Sequence, residues 1–221
     1  MFPPVLFDLD GTLLDTLEDI AASMNRALAA LGLPIHPPDD YRFMVGDGVG
    51  TLMERALPLE RRDAGTIAQC RANYMADYAE NWKVRTRMYD GIPEMLDALT
   101  DRGCPLAVLS NKPHRFTSDC VQHFLGRWRF AAVLGQSDQL PRKPDPAGAI
   151  EIARRLKRRA EEFVYLGDTA TDMNTARAAS MHPVGAVWGF RSRDELVAAG
   201  AAIVIERPQD LLHVVEEYQA P

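Results

Sequence analysis

Cysteine is scarce: only Cys70, Cys104 and Cys120 occur among 221 residues, at spacings that make neither a disulfide framework nor a metal motif. That scarcity suits a reducing compartment. Long hydrophobic runs are missing, so nothing approaches membrane-spanning length. The segment from Met1 also lacks the basic start, apolar stretch and small-residue cleavage site of a secretory signal. A cytoplasmic location without a membrane partner is the expectation. Excess positive charge is lacking too. Lys and Arg number 25 against 31 Asp and Glu, a net charge of -6, which argues against a surface built for nucleic acid or anionic lipid. The basic run Arg154, Arg155, Lys157, Arg158 and Arg159 is interrupted by Leu156 and followed by Glu161 and Glu162, the pattern of a solvated helix face. Internal repeats and low-complexity tracts are absent, and prolines gather in loops, as at Pro34, Pro37, Pro38, Pro141, Pro144 and Pro146.

What is present is enough apolar material, 47% of the chain, for a full core in one large domain or a domain carrying an insert. Short β-rich apolar runs at Val5 to Phe7, Leu106 to Leu109, Ala132 to Leu134, Phe163 to Leu166 and Val184 to Trp188 are each followed by polar or glycine residues and a helical pattern. This alternation predicts an α/β fold, a parallel sheet covered by helices. Between the first two runs the pattern is helical throughout. Leu17, Ile20, Met24, Leu28 and Leu31 keep helical spacing, Thr16 with Asp19 resembles a capping box, and Gly32 and Pro34 end the helix. Ile67, Cys70, Tyr74 and Tyr78 make a second apolar stripe. A helical block of this length far exceeds an ordinary crossover. The expected organisation is therefore a core of residues 1–14 and 88–221 with an inserted all-helical domain over 15–87.

Ligands of open α/β sheets bind beyond the carboxyl ends of the strands, and polar residues follow each apolar run here. Asp8 and Asp10 leave the first run together in Asp8-Leu9-Asp10-Gly11-Thr12. The second is followed by Ser110-Asn111-Lys112-Pro113, read as a helix start with Pro113 at the first helical position, a terminus suited to an anion. Lys143 sits in the loop Arg142-Lys143-Pro144-Asp145-Pro146. Asp168 and Asp172 lie in Gly167-Asp168-Thr169-Ala170-Thr171-Asp172. Any one of these aspartates could be a turn or cap residue. Four Asp with one Ser and one Lys at the same sheet end are hard to explain as caps. Clustered carboxylates repel unless a cation compensates, and hard oxygen ligands favour Mg²⁺ with substrate phosphate. Phosphoryl transfer is the chemistry inferred.

These four motifs, in this order and across almost the whole chain, resemble the haloacid-dehalogenase-like superfamily, whose core is a Rossmann-like parallel sheet. Within it the chain is similar to the phosphoglycolate-phosphatase group, which carries a helical cap after the first motif. The tail Val187-Trp188-Gly189-Phe190-Arg191-Ser192-Arg193-Asp194-Glu195-Leu196 also resembles that group, although Ser192 with Glu195 as a capping box and Trp188 as a strand end account for it structurally. Thr169 departs from the Ser often found in the group, and Ser180 from a common helix-ending Gly.

The resemblance implies an Mg²⁺-dependent phosphatase for a small phosphorylated metabolite, with 2-phosphoglycolate the first candidate. Asp8 is then the nucleophile that forms an aspartyl phosphate, and Asp10 the acid and later base. Ser110, Asn111 and Lys143 hold the phosphoryl oxygens. Asp8, Asp168 and the carbonyl of Asp10 hold the metal, and Asp172 supports Lys143 or a metal-bound water. Asp10 distinguishes phosphate esters from dehalogenation. A sugar-phosphate mutase shares every core motif, and a non-catalytic regulatory scaffold is a third reading. Hinges are expected near Asp15 to Leu17 and Met88 to Gly91. The turn Gly46-Asp47-Gly48-Val49-Gly50 reads equally as the cap loop facing the site and as a plain flexible turn. Arg42, Arg55, Arg85 and Arg87 are candidates to reach a substrate carboxylate. A monomer and a homodimer both remain compatible with the sequence.

Overall fold

Strand β1 (Val5–Phe7) is buried on both faces, as a central strand of a parallel sheet must be. It lies at the middle of the computed structural model, which describes residues 2–219. The expected core boundaries at residues 1 and 221 lie outside the described residues. A ribbon of β2 (Leu14–Asp15) and β3 (Arg87–Met88) follows, then β4 (Leu106–Pro113), β5 (Phe130–Gln136), β6 (Val164–Gly167), β7 (His182–Ala186) and β8 (Ile203–Ile205). Among the described residues the main sheet runs β5-β4-β1-β6-β7-β8, every neighbouring pair parallel.

Side chains of β1 alternate between two layers. Val5 and Phe7 join the larger core with α4 (Ile92–Asp101), α5 (His114–Leu125) and α9 (Asp210–Glu217), while Leu6 joins a smaller one with α6 (Ala147–Leu156) and α7 (Ala170–Ala178). The chain leaves β1 and builds β4 on one side and β6 on the other, so the strand order reverses at β1. This reversal opens a crevice at the carboxyl ends.

Between β2 and β3 lie α1 (Leu17–Ala29), α2 (Val49–Ala56) and α3 (Ala64–Asn81), with 3-10 turns at Pro38–Phe43 and Leu59–Arg61. Their apolar faces, including Met24, Tyr41, Leu52 and Tyr74, run continuously into the larger core. The ribbon at the base of this insert pairs Leu14 with Met88 and Asp15 with Arg87.

Several local readings are corrected. Thr16 precedes α1 but makes no side-chain cap bond; Asp19 instead accepts from the backbone of Arg85 and Thr86 and from the Thr86 hydroxyl, at 2.8 to 3.0 Å. Donors brought by tertiary packing displace the local box. Residues Ser110 to Pro113 belong to β4, with a register shift between Leu109 and Pro113, and α5 begins at His114, after Pro113 as its N-cap. β7 ends at Ala186, before Trp188. β8 and the ribbon were too short for a pattern of alternation to announce them. Ser180 has φ 60°, the left-handed conformation for which glycine is the easier residue. No helix among the described residues is long and apolar enough to cross a membrane. The three cysteines are buried and free.

Candidate active site

Asp8 follows β1 directly, and the register pairs Phe7 with Val108 of β4 and Leu166 of β6. Asp8 and Asp168, just past β1 and β6, thus come beside Ser110 within β4, with Lys143 entering from the loop before α6. Lys143 Nζ lies 2.8 Å from Asp8 Oδ1 and 2.6 Å from Asp172 Oδ1. Burial disfavours its charge, but the Asp172 and Asp8 carboxylates prevail and raise its pKa.

Asp8, Asp168 and Asp172 present carboxylate oxygens all within 4.8 Å of one another. Burial, then the charge of Asp172, push the Asp8 pKa well above the ordinary carboxylate range, against the pull of Lys143. The same two causes push Asp168 up to about 7. Three carboxylates this close resist joint ionisation unless a cation compensates. Asp8 Oδ1 is buried and faces the Lys143 ammonium at 2.8 Å, a cation it shares with Asp172, so one ammonium serves two of the three carboxylates. One ammonium against three buried carboxylates leaves negative charge uncompensated, and an all-oxygen donor set of this kind fits Mg²⁺.

Each carboxylate is oriented. Thr12 Oγ1 donates to Asp168 Oδ1 at 2.9 Å and the Phe190 amide to Oδ2 at 2.8 Å. Gly11, at φ 88°, passes so close that a Cβ there would lie 2.3 Å from Asp168 Oδ2, so only glycine fits. The N-cap of α7 is Thr169, in a reciprocal box with Asp172. Asp172 therefore caps its helix through Oδ2 while Oδ1 meets Lys143.

Asp10 turns away from this cluster. Its two oxygens accept from Lys112 Nζ at 2.9 and 3.0 Å, and Lys112 also lies over the ring of Tyr78, 4.8 Å from its centroid. Asn111 ties two loops, donating to the carbonyls of Gly46 and Lys143 and accepting from the Lys143 amide.

A cavity of about 50 Å³ stands over Asp8, Asp10, Ser110, Asn111 and Lys112, closed by Ile20, Val45, Gly46, Gly48, Val49, Leu52, Tyr74 and Tyr78 of the helical insert. By the volume that a water needs, this is room for roughly four waters. The Gly46–Gly50 turn is docked, not free: Asp47 accepts from Thr171 at 2.6 Å through its carboxylate and from Arg142 at 2.9 Å through its carbonyl.

Expectation and structure part at the arginines. Arg55 pairs with Asp47 and Arg87 with Asp15, the Arg42 guanidinium donates to the Gly189 carbonyl, and Arg85 is exposed. None of them is among the described residues lining the cavity. Sequence reasoning passed over Lys112, Thr12, Tyr74 and Tyr78. Lys112 left a signal in its place two residues beyond Ser110 in an extended segment; the tyrosines left none, because a stripe at helical spacing reads as core.

Residues 5–186 match a family model described as haloacid dehalogenase-like hydrolase. A phosphoglycolate phosphatase of Pseudomonas putida is 32% identical over 214 residues, covering 94% of this chain and 78% of that protein. One from Xanthomonas campestris pv. campestris is 31% identical, covering 94% of this chain and 93% of its own length. Among solved structures, a provisionally assigned phosphoglycolate phosphatase of Lactobacillus delbrueckii subsp. bulgaricus superposes with a TM-score of 0.91 at 26% identity, covering 97% of this chain and 98% of that one.

Proposed function

Because this chain belongs to the haloacid dehalogenase-like hydrolases, we propose that it is a Mg²⁺-dependent phosphatase of small phosphate esters, with 2-phosphoglycolate the first substrate to try. One observation carries the reading: the buried carboxylates of Asp8, Asp168 and Asp172 gathered around Lys143, beneath a cavity lined by Asp8, Asp10 and Ser110. The names of the relatives supply the candidate ester.

A carboxylate oxygen of Asp8 attacks phosphorus, and the bond to the ester oxygen breaks. Asp10 protonates the departing oxygen. The aspartyl phosphate is then hydrolysed by water, whose proton Asp10 takes up, so one residue serves two opposite transfers. Ser110 and Lys143 hold the phosphoryl oxygens as charge shifts in the transition state. Asp8, Asp168 and the carbonyl of Asp10 would hold Mg²⁺, with Asp172 fixing Lys143. When bound, Mg²⁺ would supply positive charge that shields the nucleophile from the phosphate. The helical insert acts as the cap, excluding bulk water and limiting substrate size.

Release of inorganic phosphate from 2-phosphoglycolate, sugar phosphates, nucleotides and pyrophosphate, with Mg²⁺ and with excess chelator, tests this. Mg²⁺-dependent release that favours one small ester is expected. No release from any ester would overturn the reading.

A further inference from the structure

The segment Trp188 to Arg191 follows β7 and touches the site and the insert in alternation. Trp188 Nε1 donates to the Thr12 carbonyl at 2.9 Å, and Thr12 in turn holds Asp168 Oδ1. The Gly189 carbonyl accepts from Arg42 of the insert at 3.3 Å. A Cβ at Gly189 would lie 2.4 Å from both Asp168 Cβ and the Gly11 carbonyl, so the segment is pressed against the carboxylate. The Phe190 amide holds Asp168 Oδ2.

Arg191 completes the run. Its guanidinium donates to the carbonyl of Arg42 and, at 3.1 Å, to that of Val45, both in the insert. It also lies 5.7 Å from the ring centroid of Phe43, an otherwise 69% exposed side chain of the insert. Val45 and Gly46 border the cavity. A forked, planar guanidinium reaches two carbonyls at once, which an ammonium does not.

We infer that Arg191 is a positioning residue: it clasps the insert closed over Asp8 and, through one peptide link to the Phe190 amide, joins that closure to the alignment of Asp168. Two arrangements joined this way bias each other reciprocally, so ordering Asp168 around a cation favours the closed insert and closure favours cation binding. This goes beyond the phosphatase reading while resting on its assignment of Asp168. Arg191 also pairs with Glu195, at 3.3 Å, in the short helix α8 (Arg193–Ala198), a contact that the Glu195 variant below separates from the clasp.

The test uses the full chain without substrate. Hydrogen exchange reports the amides of residues 44–50 in the absence of Mg²⁺, and calorimetry reports Mg²⁺ affinity. Arg191→Met is expected to speed the exchange and to weaken Mg²⁺ binding, each about fivefold or more, within the usual range of coupling between sites. Arg191→Lys should recover part of both. Glu195→Gln, which removes the pairing within the helix and leaves the clasp, should change neither. Phe43→Ala, at an exposed position, should move both in the direction of Arg191→Met by a smaller factor, and it decides the matter if Arg191→Met does not fold. A folded Arg191→Met chain with both quantities within about twofold of the parent would overturn the inference. So would faster exchange with unchanged Mg²⁺ affinity, or a parent chain without Mg²⁺ affinity. Neither readout needs turnover: a parent chain that shows these shifts but hydrolyses no ester ends the phosphatase reading and leaves the clasp standing.

Discussion

Lys112 Nζ is bound by both oxygens of Asp10, at 2.9 and 3.0 Å, so the second carboxylate of Asp8-Leu9-Asp10 has a cation of its own, distinct from the Lys143 that serves the first. The two aspartates leave one strand and enter different electrostatic surroundings.

Asp10→Asn is expected to slow both formation and hydrolysis of the aspartyl phosphate, by roughly 100-fold or more. Rapid-quench measurement of the two steps reads this. If only one step slows, the double role of Asp10 is wrong.

Asp8→Asn removes the nucleophilic charge at nearly constant volume. Turnover should vanish while circular dichroism stays unchanged. Because burial and Asp172 already disfavour the Asp8 charge, the variant should melt no lower than the parent in chelator at neutral pH. Full activity in a preparation shown by mass spectrometry to be undeamidated would remove Asp8 from the mechanism.

The raised carboxyls also set a pH dependence. Burial and the Asp172 charge raise Asp168 to about 7, whereas an unfolded aspartate titrates near 3.9. Its proton is therefore held more tightly in the folded chain. The resulting stability is full below about pH 4 and is lost as pH rises to about 7. Asp8 is shifted in the same direction. In chelator the melting temperature should fall between about pH 6 and about pH 8, and Mg²⁺ should raise it more at the higher pH, where the ligands are already deprotonated. Equal Mg²⁺ stabilisation at both pH values would contradict ligation by these carboxylates.

Thr12→Val deletes the hydroxyl that holds Asp168 Oδ1 in a nearly isosteric way. Partners that orient metal ligands are typically worth about 10- to 100-fold in affinity, so Mg²⁺ binding measured by calorimetry should weaken by that order with the fold intact. An unchanged affinity would show that Asp168 needs no such support.

Much of this was legible in the sequence, because the signals were local. Apolar runs followed by Asp8 and Asp168 marked strand ends, the run before Ser110 marked a strand that continues to Pro113, and the helical pattern over residues 15–87 pointed to the helices between β2 and β3. Periodicity is a short-range property of the chain, and the order of strand ends determines which residues converge. The partners of those residues were not legible. Asp19 looked like a local cap until packing supplied the amides of Arg85 and Thr86. The candidate arginines faced their own acids or carbonyls instead of the cavity. Tyr78, one more apolar residue in a stripe, became the ring over Lys112. The amino-acid sequence by itself determined which chemistry-bearing groups gather at the carboxyl end of the sheet. Only the tertiary structure decided which side chain pairs with which and what closes the cavity, because those contacts join residues far apart in the chain and depend on how the helical insert docks on the core.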